Sequence, residues 1–230
     1  MNKKHTGFTL IELLITMSIL SALIFTGTYS YQILASRWQK EVGTFNQTLE
    51  QAKGIDLLSR ILNGIHPYIV INDQQQVSKP GFLFIGSESK LLSVTQQGLF
   101  SDKYPEIFRL TLQPNDNGKF DLIYQSVSTK EFSVFTANQE IEFQHSYLLL
   151  ENIDTLSFSY IGWTNLDLMP LQKDNHETPK ISPVFSGLDR QLLPINVIAK
   201  LKINSKIMSI EATTERNALQ HITPYLGSAE

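Results

Sequence analysis

Residues 8–25 read FTLIELLITMSILSALIF, and this stretch decides the class of the chain. Thirteen of its eighteen residues are apolar, and its polar residues are small except for Glu12. The run continues more weakly through TGTYSY to Tyr31, giving 24 residues from Phe8. A helix of that length crosses a hydrocarbon core of roughly 30 Å. Lys3 and Lys4 precede it, so the positive-inside rule places the N-terminus in the cytoplasm and the rest of the chain outside. Tyr29 and Tyr31 fall where the helix leaves the hydrocarbon, a level that suits their amphipathic rings. The competing reading is a secretory signal, for which Ser18, Ser21 and Ala22 are the weak cleavage candidates.

Glu12 is the anomaly in this run. A carboxylate in lipid needs a partner or a proton, and the run holds no second ionisable group. The reading therefore expects a partner from another molecule.

Gly7-Phe8-Thr9-Leu10-Ile11-Glu12-Leu13-Leu14-Ile15 closely resembles the class III signal of type IV prepilins and type II secretion pseudopilins. The likeness joins a short basic leader, Gly before Phe, Glu four residues after that Phe, and a long apolar run. It implies that a prepilin peptidase cuts between Gly7 and Phe8 and that Phe8 is then N-methylated. The leader, residues 1–7, is lost while the helix stays. It also implies that Glu12 pairs with the terminal amine of a neighbouring subunit, which would satisfy an acid carried into lipid.

A second likeness reaches further along the chain. LLENIDTLSFSY, residues 149–160, and LPINVIAKL, residues 193–201, resemble in order and spacing two segments of J-type minor pseudopilins. Trp163 follows the tyrosine as is usual there. The second tryptophan common before the Leu-Pro is replaced by Val184-Phe185, and related minor pilins of type IV pili share the same plan.

The apolar pattern goes on past the membrane segment. Leu34, Trp38, Val42, Phe45, Leu49, Ala52, Ile55, Leu58, Leu62 and Ile65 recur every three or four residues. One helix is thus expected from Phe8 to about Leu62, with a stop at Asn63-Gly64 and His66-Pro67. A break near Gly27 or in residues 35–37, and a coiled-coil stalk for the second half, stay open.

Short strands are expected next: 82–85, 91–95, 107–112, 120–124, 132–135, 147–150, 156–160, and a final hairpin 197–203 with 207–212 turning at Asn204-Ser205. Met208, Ile210 and Ala212 would share a face. Residues 114–119, PNDNGK, have hairpin-turn chemistry. Residues 162–193 read as an irregular loop, and the segment after Arg216 as partly mobile.

The expected fold is α+β and pilin-like, a long N-terminal helix with a transmembrane first half on a β-rich antiparallel head. Its parts are a leader at 1–7, a membrane and filament-core segment at 8–31, an amphipathic half at 32–65, and a periplasmic head at 66–230.

Composition limits the alternatives. A net charge of −3 with scattered basic residues gives no electrostatic case for nucleic acid. With no cysteine, neither disulfides nor thiol chemistry are available. The five histidines, His5, His66, His145, His176 and His221, form no metal motif. Asp167, Asp174, Asn175 and Glu177 match no calcium loop, and Asp116-Asn117-Gly118 reads as a turn. No nucleophile elbow or phosphate loop occurs.

No catalytic residue, metal or cofactor is therefore expected. The resemblance implies a minor pseudopilin of a type II secretion system, single-pass in the inner membrane and near the tip of a periplasmic pseudopilus. Its expected partners are prepilin peptidase, H-, I- and K-like minor pseudopilins, the major pseudopilin and inner-membrane lipid. The rivals are a type IV minor pilin and a secreted binding protein.

Overall fold

A computed structural model describes residues 9–73, 78–215 and 217–226. The expected α+β, pilin-like class is the one found. A single helix α1, Leu10–Asn63, runs without interruption through Gly27 and residues 35–37. The chain divides into two compact units, 1–50 and 51–230.

In the first unit the large apolar side chains of α1 are exposed, from Leu10 and Ile11 through Trp38 and Phe45 to Leu49. The stripe read from the sequence therefore splits. Its large apolar residues from Leu34 to Leu49 are exposed, and in the second unit the first buried residue of the helix is Gly54. Leu58, Ile61 and Leu62, all fully buried, then enter the core of the second unit with Ile65.

Gly54 has a packing reason to be glycine. A Cβ there would overlap the Leu149 carbonyl oxygen and the Leu150 side chain. Alanine improves intrinsic helicity by about 1 kcal/mol, but the clash opposes a backbone atom that cannot swing away. Gly54→Ala is therefore expected to destabilise the second unit by about 1–3 kcal/mol net, read as a lower urea midpoint at unchanged slope. The helix stops where expected. Gly64 takes a bond from its N–H to Arg60 O at 2.9 Å, and its carbonyl accepts from Gln96 N at 2.8 Å. A side chain at Gly64 would run into Thr95 and Gln97, so the chain can join the sheet immediately.

Among the described residues twelve strands follow, and every pairing between them is antiparallel. A two-stranded ribbon joins β1 (Ile69–Asn72) to β2 (Lys79–Phe82). The six-stranded sheet has the order β10-β3-β4-β5-β6-β7, from Phe185–Ser186, Ile85–Gly86, Lys90–Thr95, Glu106–Pro114, Phe120–Ser128 and His145–Ile153. The four-stranded sheet has the order β12-β11-β8-β9, from Lys206–Thr213, Asn196–Ile203, Thr155–Gly162 and Lys180–Ser182.

Period-two patterning sets which face is inside. In β8 Leu156, Phe158 and Tyr160 are buried between more exposed neighbours, and in β11 Val197, Ala199, Leu201 and Ile203 are. These rows and the end of α1 share one core. The β11–β12 hairpin turns at Asn204 and Ser205, whose φ of 48° and 67° fit a type I′ turn. Met208, Ile210 and Ala212 share the inward side, opposite Leu201, Ala199 and Val197.

Four readings of the sequence are corrected. Residues 82–85 are not one strand. The chain turns tightly at Leu83, where Phe84 N–H donates to Phe82 O at 2.8 Å, and passes from β2 into β3. Phe82 and Phe84 thereby enter the main core while Leu83 enters a smaller one with Val70, Ile107 and Val127.

Residues 132–135 form no strand. Their end crosses Ile71 instead, which donates to Phe135 O at 2.8 Å and accepts from Ala137 N at 2.9 Å. The segment after Arg216 contains a helix α4, Ala218–Leu226, pinned by buried Ala218 and Ile222. The loop 162–193 contains α2 (Met169–Asp174), β9, β10 and α3 (Gly187–Arg190).

Candidate functional site

The helix start is built by two residues. Thr9 precedes α1, and its carbonyl takes the first helical bond, from Leu13 N at 3.2 Å. Its hydroxyl oxygen lies 3.4 Å from the Glu12 N–H. In return Glu12 Oε2 accepts from the Thr9 N–H at 3.0 Å and from the Thr9 hydroxyl at 3.0 Å. This is a reciprocal capping box, with the carboxylate on the positive end of the helix dipole. The expectation that Glu12 finds no partner in its own chain is thus corrected: it is hydrogen-bonded locally. What Thr9 cannot supply is a positive charge.

Beyond that turn four hydroxyls fold back onto the helix backbone. The hydroxyls of Thr16, Ser18, Thr26 and Thr28 donate to the carbonyls of Leu13, Leu14, Ala22 and Ile24 at 2.8–2.9 Å. Bonded this way, they impose little cost in lipid. The stretch Leu10–Gln39 is long and apolar enough to cross a membrane. Tyr29, Tyr31 and Trp38 are well exposed on it. Gly7 and Phe8, the expected cleavage and methylation positions, lie outside the described residues.

In the head, the candidate oxygen ligands of the 162–193 loop do not assemble. Glu177 Oε2 takes the Gln172 amide at 3.2 Å and Lys180 Nζ at 3.7 Å, while the Asp174 carbonyl pairs with its neighbour His176. Among the described residues no three His, Asp or Glu side chains form a metal-binding group. Asp116-Asn117-Gly118 belongs to the turn, which Asn115 organises by accepting from Asn117 N and Lys119 N at 3.1 and 3.0 Å. Asp154 meets Lys119 at 3.0 Å rather than Glu151. The bond from Lys119, and next one from the Ser205 N–H, hold its carboxyl below the usual range.

Two groupings had no signal in the sequence. His66 Nδ1 and His221 Nε2 both face Glu215, at 3.2 and 3.0 Å, joining residues 155 positions apart. Glu106, only 1% exposed, takes the N–H groups of Phe100 and Ser101 at 2.6 and 2.5 Å and the Tyr124 hydroxyl at 2.7 Å. Burial, and after it the Glu106 carboxylate, push the Tyr124 phenol well above its ordinary value. No periodicity marks either grouping, because both depend on long-range folding.

Residues 2–27 match the prokaryotic N-terminal methylation motif. No curated protein matches the chain. The motif and the pilin-like α+β fold together support membership in the pseudopilin and type IV pilin superfamily. The one N-terminal apolar helix supports a single-pass membrane protein.

Proposed function

We propose that this chain is a minor pseudopilin of a type II secretion system, a non-catalytic subunit at or near the tip of a periplasmic pseudopilus. The observation that carries the reading is a carboxylate, Glu12, in the first turn of an apolar helix whose large apolar side chains stay exposed as far as Leu49. Such a surface needs lipid below and other helices above, and the acid needs a cation. The cation of this proposal is the terminal amine of a neighbouring subunit, freed when prepilin peptidase cuts between Gly7 and Phe8 and then methylated on Phe8. The subunit sits in the inner membrane with its N-terminus cytoplasmic and its head periplasmic.

The J-type assignment draws support from the pairing of its two segments. LLENIDTLSFSY runs through β7 and β8, and LPINVIAKL leads into β11, which pairs with β8 along Leu201↔Leu156, Ala199↔Phe158 and Val197↔Tyr160. The absent second tryptophan, with Val184-Phe185 in its neighbourhood, favours keeping a type IV minor pilin as the second reading.

Affinity purification of the tagged chain from native envelopes tests the assignment. Co-purification of the H-, I- and K-like minor pseudopilins is expected; recovery of type IV minor pilins instead would overturn it. Gly7→Leu is expected to leave the leader attached, because a bulky side chain obstructs the peptidase site. Intact mass should then retain all of residues 1–7, and normal trimming of this variant would contradict the cleavage assignment.

A further inference from the structure

A half-open cavity of about 440 Å³ lies in the head. Phe82, Trp163, Met169, Leu192 and Leu193 supply its apolar walls, and Ala218 and Leu219 bring α4 to its rim. Its size and lining fall within the range of ligand sites.

The charges at its mouth are unequal in availability. Glu215 reaches the cavity, but one of its carboxylate oxygens is bonded to His221 and the other faces His66 Nδ1, which also meets the Gln96 amide at 3.0 Å. Thr214 spends its hydroxyl on the Pro194 carbonyl. Lys173, on α2, stands over the Trp163 ring at 5.8 Å from its centre and is exposed. Among the described residues it has no ion-pair partner. The group left to meet a ligand is therefore an ammonium beside an aromatic wall.

We infer that this cavity is a docking site for a peptide segment of another protein in which a large apolar side chain neighbours a carboxylate. The apolar side chain lies against Trp163, Ile195 and Leu219, the apolar lining residues that solvent reaches, and the carboxylate takes the Lys173 ammonium. Charge complementarity selects the acid: a basic segment would meet Lys173 unshielded, and a neutral one would leave it unpaired. The inference rests on the chain being an assembly subunit, since that brings partner segments to the head. Its test needs no filament, so the two can fail separately.

The chain has two tryptophans, Trp38 and Trp163, so Trp38→Phe leaves the cavity wall as the only indole emitter. The full chain with this change, in detergent, is titrated with the peptide acetyl-Gly-Leu-Phe-Asp-Gly-amide and with its counterpart carrying Asn for Asp. A saturable change in Trp163 emission is expected with the acidic peptide, with a Kd on the order of 1 mM or tighter. Binding of the Asn peptide should be at least threefold weaker.

Lys173→Gln, an exposed change, should abolish that difference while leaving the melting temperature of the head unchanged. An unsaturable response, equal binding of the two peptides, or unchanged discrimination in Lys173→Gln would each overturn the inference.

Discussion

Glu12→Ala is expected to insert into the membrane normally and to lose at least tenfold in crosslinking to partner subunits. Insertion should be unharmed because the substitution removes the acid of the apolar run and leaves the hydroxyls of Thr16, Ser18, Thr26 and Thr28 bonded to the helix backbone. Assembly should fail because the neighbour's terminal ammonium then has nothing to meet where water cannot screen or solvate it.

The capping box makes a sharper variant available. Glu12→Gln keeps an amide oxygen for the Thr9 N–H and hydroxyl, so the cap survives while the charge does not. If charge pairing drives assembly, Gln fails like Ala. If Gln crosslinks like the parent chain, the acid serves only to cap the helix. Thr9→Val gives the complement: it removes the hydroxyl but leaves the carboxylate, and should assemble far better than either Glu12 variant.

The second large effect is on stability. Glu106→Ala should destabilise the head by about 3–5 kcal/mol, since three donors converging on one carboxylate lose their acceptor at once, each at about 1–3 kcal/mol with overlapping costs. Phe100 N–H, Ser101 N–H and the Tyr124 hydroxyl are the three. The side chain fills its site closely, because even a methyl on Gly98 would strike it.

A fall of roughly 10 °C or more in the melting temperature is expected. Glu106→Gln should recover much of this, as its amide oxygen still accepts while Tyr124 can accept from its NH₂. Tyr124→Phe should cost less, about 1.5–3 kcal/mol, because only one of the three donors to the buried carboxylate is lost. A Glu106→Ala head that melts with the parent would show that the 98–105 loop is held by something other than this carboxylate.

How much of this was legible in the sequence depends on the range of the forces involved. The helix was legible because its signal is local: apolar composition to Tyr31, three-and-four spacing to Ile65, and a stop at Asn63-Gly64. The β11–β12 hairpin was legible for the same reason, with clean alternation on either side of Asn204-Ser205. The stripe along α1 misled at one point. Leu34, Trp38 and Leu49 have the spacing of residues that face a sheet, yet they are exposed, since spacing reports that a face is apolar and not what covers it.

Residues 132–135 misled because Phe132 and Val134 alternate like a strand. Their backbone partner is one residue of β1, too short a contact to extend a ladder. The break inside 82–85 carries no glycine or proline at Leu83; it arises because Phe82 and Phe84 belong to one core and Leu83 to another. At the site, Glu12 stood out by being charged in an apolar run. Its bond to Thr9 was equally open to reading as a Thr-x-x-Glu box at a helix start. Glu106 and Glu215 could not be singled out, because nothing near them in sequence distinguishes them from the surface acids.

The most direct test of the account is the mature N-terminus of the chain recovered from membranes, read by mass spectrometry of its first peptide. A chain beginning at Phe8 with a methylated amine and with Glu12 retained is expected. A chain beginning beyond residue 22, free of the membrane, would contradict it.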